Sequence, residues 1–242
     1  MTTIAVSGAA PGGPPKVRLT PGLLQPRLVT RRAGFAHVAL VAGGATLLGG
    51  DSVSIRVEVG AECALRIEDI GGTVAYPSTG RPSAWNVDAV VGDGGVLVWE
   101  SFPFVVADRA LVRRRTTVRR GADAQVCLRE TLVLGRTGEV GGRIVSTTDI
   151  RDVDGTPFFV EELSLDGEQP RPGVLGRSRV LDTAIMVGAE PDEPTPTDTD
   201  EGNVLVLARP GAVARAIGSA THAAHVDVRW QRWTNRAERR TE

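Results

Sequence analysis

The segment Ser52-Val53-Ser54-Ile55-Arg56-Val57-Glu58-Val59 alternates without interruption, apolar at odd positions and polar or charged at even ones. Successive side chains of a strand point to opposite faces, so this segment reads as a strand with one buried face and one wet face. The pattern spreads outward in both directions. Strand-like runs cover 35–41, 51–59, 62–68, 85–91, 95–100, 109–118, 123–134, 142–153 and 157–165. Turn signals separate them: Gly43-Gly44, Gly49-Gly50-Asp51, Gly60, Gly71-Gly72, Gly121-Ala122-Asp123 and Asp154-Gly155. This rhythm predicts an all-β sandwich, barrel or solenoid. The runs 85–91 and 95–100, joined by Gly92-Asp93-Gly94-Gly95, read as a hairpin.

The 242 residues suffice for one substantial core, and 41% of them are hydrophobic. With 28 basic and 29 acidic residues the net charge is −1, which gives no field for non-specific nucleic-acid binding. Cys63 and Cys127 are far apart in sequence and belong to no CxxC spacing, so they read as buried free thiols. Residues 1–15 are small and rich in Gly and Pro, and read as a disordered segment. They lack the charged and apolar regions of a signal peptide, and no run approaches the roughly 18 apolar residues that span a bilayer. The expectation is a cytoplasmic protein with no membrane partner.

The division expected is a disordered segment 1–15, an all-β core over 16–188, an acidic Pro/Thr-rich loop over 189–202, and a C-terminal unit over 203–242 packing on the core. That last unit reads as strand, helix and strand. Asn203 to Ala208 is apolar, Pro210 suits a first helical turn before 211–222, and 225–231 leads into Arg229-Trp230-Gln231-Arg232-Trp233.

A family resemblance rests on several segments taken in order. Leu47-Leu48-Gly49-Gly50-Asp51 through Val59-Gly60-Ala61 resembles the "GGD … VGxGA" segment of the urease accessory protein UreD family, also called UreH. Val96-Leu97-Val98-Trp99-Glu100-Ser101-Phe102-Pro103 is similar to its "LxWxP" strand, and Asp108-Arg109-Ala110 to its "DxA" turn. Glu130 through Gly135-Arg136 to Glu139 is similar to its "ExxxxGRxxxE" block, with one spacer residue fewer before Glu139. The segment Arg66 to Tyr76 departs from the family pattern. The resemblance implies an all-β fold with minor helices, a β-helix or solenoid-like stack of short strands. It implies a scaffold, not an enzyme. Such a scaffold binds UreF-like and UreG-like accessory proteins, docks on apo-urease, and guides Ni²⁺ in transit without holding a cofactor.

Asp69 shares parity with Cys63, Leu65 and Ile67, and Glu130 with Val126, Leu128, Leu132 and Leu134. Both acids therefore fall on inward faces. An ionised, unpaired carboxylate in a dry core would cost several kcal/mol, about the stability margin of a domain. Each must be paired, with Arg66, Arg129 or Arg136 as candidates, or must face a wet channel. In the channel reading these are the oxygen ligands that pass a divalent cation, because carboxylates hold nickel weakly and transit needs weak holding.

Arg109, Arg113, Arg114, Arg115, Arg119 and Arg120 crowd one run, with Arg113 and Arg115 on the face opposite Val112 and Arg114. Charge on both faces reads as an edge strand, or as a docking face for an acidic partner through Arg113 and Arg115. Trp230 reads as core, whereas Trp233 is a candidate partner anchor. His222 and His225 are at most half a metal site, and His37 stands apart. The Gly-x-Ser-x-Gly elbow, the phosphate-binding loop and the dinucleotide fingerprint are all missing. Function therefore reads as a urease maturation scaffold, against the alternatives of a protein- or carbohydrate-binding module and, more remotely, a hydrolase.

Overall fold

Period-two alternation becomes a stack of parallel strands. The computed structural model describes residues 1–8, 12–44, 47–191 and 203–239. In chain order the strands are β1 (Thr2–Ser7), β2 (Lys16–Thr20), β3 (Leu24–Arg32), β4 (Phe35–Ala42), β5 (Ser52–Val59) and β6 (Ala64–Asp69). Next come β7 (Thr73–Ala75), β8 (Ser83–Val91), β9 (Val96–Glu100), β10 (Phe104–Val106), β11 (Leu111–Arg120) and β12 (Gln125–Leu134). They are followed by β13 (Arg143–Asp152), β14 (Pro157–Asp166), β15 (Val180–Val187), β16 (Asn203–Val206) and β17 (Gly211–Gly218). One helix, α1 (Asp227–Arg239), ends the described chain after a 3-10 turn at Thr221–Ala223.

Two sheets face each other. The first has the order β14-β13-β11-β8-β5-β1-β2, and the second follows β16-β17-β15-β12-β9-β6-β4-β3. Along the chain the strands alternate between them: β4 lies in the second, β5 in the first, β6 in the second, β8 in the first, and so on through β13. Neighbouring coils pair in parallel, β5 with β8, β8 with β11, and β11 with β13 in one sheet. In the other, β4 pairs with β6, β6 with β9, and β9 with β12. The fold is thus all-β with a minor helix, and its centre is a solenoid-like coil flanked by antiparallel strands. The short strands β7 and β10 continue the ladder beside the end of β12.

The expected hairpin over 85–91 and 95–100 does not form, because β8 and β9 belong to different sheets. The Gly92–Gly95 segment is a corner that carries the chain from one sheet to the other. Gly94 sits at φ +63°, a left-handed conformation that favours glycine, and a Cβ there would meet the Glu62 carboxylate. A tight corner and a hairpin turn draw on the same residues, so turn chemistry alone does not distinguish them.

Residues 1–15 were expected to be disordered, yet Thr2–Ser7 is a strand, parallel to β5 and antiparallel to β2. It buries Ile4 and Val6 against the first coil, and so protects an edge that β5 would otherwise expose. The C-terminal unit is strand, strand and helix. Gly211–Gly218 is inserted between β15 and β16 as a strand, despite its alanines. Pairing on both sides outweighs a helix propensity worth a few tenths of a kcal/mol per residue. Residues 225–231, expected as a strand, instead lead into and begin α1. From residue 192 onward, the acidic stretch over 189–202 lies outside the described residues.

The main core fills the space between the sheets, with Ile55, Val57, Leu65, Ile67, Leu97, Leu132 and Ile144 fully buried. A second core forms on the outer side of the second sheet. There Phe35, Val96, Val98, Cys127, Ala184 and Ala214 meet Val226, Trp230, Trp233 and Ala237. Trp230, Trp233 and Ala237 follow helical spacing, which gives α1 its buried stripe. No helix of the described residues is long and apolar enough to cross a membrane.

Candidate functional site

The interior of the stack changes character along its axis. In the first sheet, the inward row Val57–Ala89–Val118–Ile150 is apolar in every coil. Two rows away, Val53–Trp85–Arg114–Ser146 turns from apolar to polar in the later coils, and the intervening row ends in Thr116 and Thr148. Opposite them, the second sheet presents Trp99, Leu128 and Glu130. A cavity of about 30 Å³ lies between these walls, lined by Ser101, Arg114, Thr116, Thr148 and Glu130 and by Val87, Trp99 and Ile185.

Asp69 and Glu130 both point inward, as their parity predicts, and neither is surrounded by hydrocarbon alone. Asp69 is 9% exposed and accepts a hydrogen bond from the Trp99 indole N–H at 3.2 Å. Burial pushes its carboxyl up to about 6, against the opposing effects of the Trp99 hydrogen bond, the nearby Arg114 charge and the Phe102 backbone N–H. Glu130, with its side chain 18% exposed, forms an ion pair with Arg114. Arg114 is itself 8% exposed, and burial draws its guanidinium down to about 10 against the attraction of Asp69, so it stays a cation at neutral pH. One arginine therefore links the two acids that parity had singled out.

That arginine is not among the expected partners. Arg66 pairs with Glu100 and Glu238, Arg136 with Glu139, and Arg129 with Glu100, Asp182 and Asp227. β11 is also not an edge strand; it runs between β8 and β13. Its two charged faces have different causes. Arg114 and Arg120 point into the stack, whereas Arg113 and Arg115 stand exposed on the outer face of the first sheet. A signal for this was present: Val112, Arg114, Thr116 and Val118 share the parity of an inward face. Arg113 and Arg115 make no ion pair with any described residue.

Trp233 is only 2% exposed and sits beneath α1 in the second core, which rules it out as an accessible partner anchor. The helix above it is held by a charge lattice. Arg129 reaches Asp182 at 2.8 Å and Asp227 at 2.6 Å, Arg66 reaches Glu238 at 2.8 Å, and the Val226 backbone N–H donates to Asp182 at 3.1 Å.

His222 and His225 do not end a helix. His222 lies within the 3-10 turn before α1 and His225 just after it, and both line an outer pocket of about 340 Å³, together with Glu100, Phe102, Asp182 and Asp227. Ser101 and Arg129 line both this pocket and the inner cavity, so they form the wall between them. His37 pairs with Glu68 at 3.1 Å, away from both. Cys63 and Cys127 are buried free thiols. Among the described residues no three His, Cys, Asp or Glu side chains converge as metal ligands.

The family model described as UreD urease accessory protein matches residues 19–240. The chain belongs to the UreD family. It is 37% identical over 231 residues to urease accessory protein UreD 1 of Streptomyces griseus, covering 94% of this chain and 88% of that one. It is also 37% identical over 179 residues to UreD of Frankia alni, covering 64% and 60% of the two chains. To UreD 1 of Saccharopolyspora erythraea it is 34% identical over 203 residues, covering 81% and 78%. Membership of the UreD family supports a role in urease maturation, as an accessory protein and not as the catalyst.

Proposed function

We propose that this UreD-family chain docks on apo-urease together with UreF-like and UreG-like accessory proteins, and that Ni²⁺ passes through its interior on the way to the urease active site. The observation that carries this reading is the inner cavity. Asp69 and Glu130 come from strands far apart in sequence, yet both act on the same buried arginine beside a space lined by Ser and Thr hydroxyls. An outer pocket bearing two imidazoles and several carboxylates lies behind a shared wall. Oxygen donors bind nickel weakly, which suits a cargo that must leave again. The exposed Arg113 and Arg115, on the uncovered face of the first sheet, are the contact offered to an acidic partner.

The test is nickel loading of urease co-expressed with the accessory proteins and this chain. Glu130→Gln should lower the nickel content of purified urease several-fold while this chain still co-purifies with its partners. Unchanged nickel content in a folded Glu130→Gln variant would refute passage past this residue. Arg113→Glu with Arg115→Glu should instead reduce co-purification of the partners without altering the interior.

A further inference from the structure

The cation between the interior acids is part of the protein, and its hold on them is incomplete. Arg179 is a structural arginine: its Nε and Nη2 donate to the carbonyls of Leu134, Gly135 and Arg136 at 2.8 to 2.9 Å. Arg129 contacts three carboxylates. Arg114 is more deeply buried than Arg129, yet it pairs with Glu130 alone, and its Nε–H has no hydrogen-bond partner. The Ser146 hydroxyl, its cross-strand neighbour, is 4% exposed and is also unpartnered. Unmade hydrogen bonds at buried donors are costly, so natural interiors leave few of them. Arg114 and Ser146 are neighbours across the β11–β13 pair, and of the two Arg114 lines the cavity.

Arg114 also has a second place to rest. The Phe104 ring lies 6.0 Å from its guanidinium carbon, at the outer limit of a cation–π contact. A modest rotation of the arginine side chain toward that ring would move it off Glu130. The cavity of about 30 Å³ adjoins the guanidinium already seated on Glu130, so what sets a divalent ion against Arg114 is charge and not room: two cations compete for one carboxylate and repel each other in a buried space.

On the reading of the interior as a nickel route, we propose that Arg114 is a displaceable counter-cation. Its guanidinium occupies the cation position at Glu130, and a divalent ion enters only as that group swings away. The arrangement keeps the buried Glu130 neutralised between passages. It also stops the site from becoming a trap, because the returning arginine competes with the metal for Glu130. Arg114 is thus a positioning residue that sets how weakly the site holds its cargo.

The experiment is titration calorimetry of NiCl₂ into the full-length chain, followed by nickel loading of urease with the complete accessory set. If the guanidinium covers Glu130 about nine-tenths of the time, removing it raises apparent affinity about tenfold. Arg114→Gln should therefore bind Ni²⁺ about tenfold more tightly than the parent, and Arg114→Gln with Glu130→Gln should lose that gain. Urease loading should fall in Arg114→Gln, because the ion is retained. Parent-like affinity in Arg114→Gln overturns the inference. If that variant does not fold, Arg114→Lys is read by the same criterion: its single point charge competes less well for Glu130 and should give about a threefold gain, and parent-like affinity again overturns the inference. If Glu130→Gln impairs loading while the Arg114 variants bind nickel as the parent does, only the counter-cation fails. If Glu130→Gln leaves loading unchanged, the nickel route itself fails.

Discussion

Replacing Asp69 with Asn should make the protein more stable at neutral pH, and the gain should vanish in acid. Asp69 lies between the sheets at 9% exposure, and burial raises its carboxyl from the ordinary 3.8 to about 6. In the unfolded chain the same group releases its proton near pH 4. Between about pH 4 and about pH 6 the folded chain therefore binds the extra proton, so folding stability falls as pH rises through that window and levels off above it. A difference of about two pKa units corresponds to about 3 kcal/mol. Asn keeps an oxygen to accept the Trp99 N–H at the position where Asp69 now accepts it at 3.2 Å and carries no charge to desolvate, while its poorer match to the Phe102 N–H is the same at every pH and leaves the pH-dependent part of the difference intact. Urea unfolding of both proteins from pH 4.5 to 7.5 gives the difference directly, since the other titrating groups largely cancel. The advantage of Asp69→Asn should be small at pH 4.5 and approach about 3 kcal/mol at pH 7.5. A difference that does not change with pH would refute the reasoning. An advantage that grew on acidification would mean that the Arg114 charge outweighs burial and that Asp69 is an ordinary ion-pair acid.

Trp233→Ala removes the largest fully buried side chain beneath α1 and should cost about 4 kcal/mol in thermal or denaturant unfolding, with the helix signal lost first. Asp182→Asn strips Arg129 of a carboxylate and weakens the acceptor for Thr131 and for the Val226 N–H; we expect a loss of about 3 kcal/mol and faster amide exchange at the start of α1. Burial pushes the Cys127 thiol up to about 12 and also raises that of Cys63, so neither should react with a thiol reagent at pH 8 until the chain is unfolded, when both should.

Period two is a local property, and it carried a large part of the reading. Ser52–Val59 buries Val53, Ile55, Val57 and Val59 as its alternation demands, and the inward parity of Asp69 and Glu130 holds in the structure. The runs 142–153 and 157–165 became β13 and β14 almost residue for residue. Segments whose state depends on what packs against them were not legible. Gly211–Gly218 carries alanines that suit a helix, and it becomes a strand because β15 and β16 pair with it on either side. Trp230 and Trp233 are three apart, a spacing that fits one helix face, yet a segment this short before a charged tail suits the end of a strand equally well.

By itself the sequence determined where most strands from β4 to β14 run, which of their side chains turn inward, and that two acids share the interior, because each follows from alternation over a few residues. Only the tertiary structure decided that Glu130 meets Arg114, that Asp69 meets Trp99, that the Gly92–Gly95 corner joins two sheets, and that Trp233 is covered. Those outcomes depend on which coil stacks on which, and parity assigns a residue to a face without naming the neighbour it will find there.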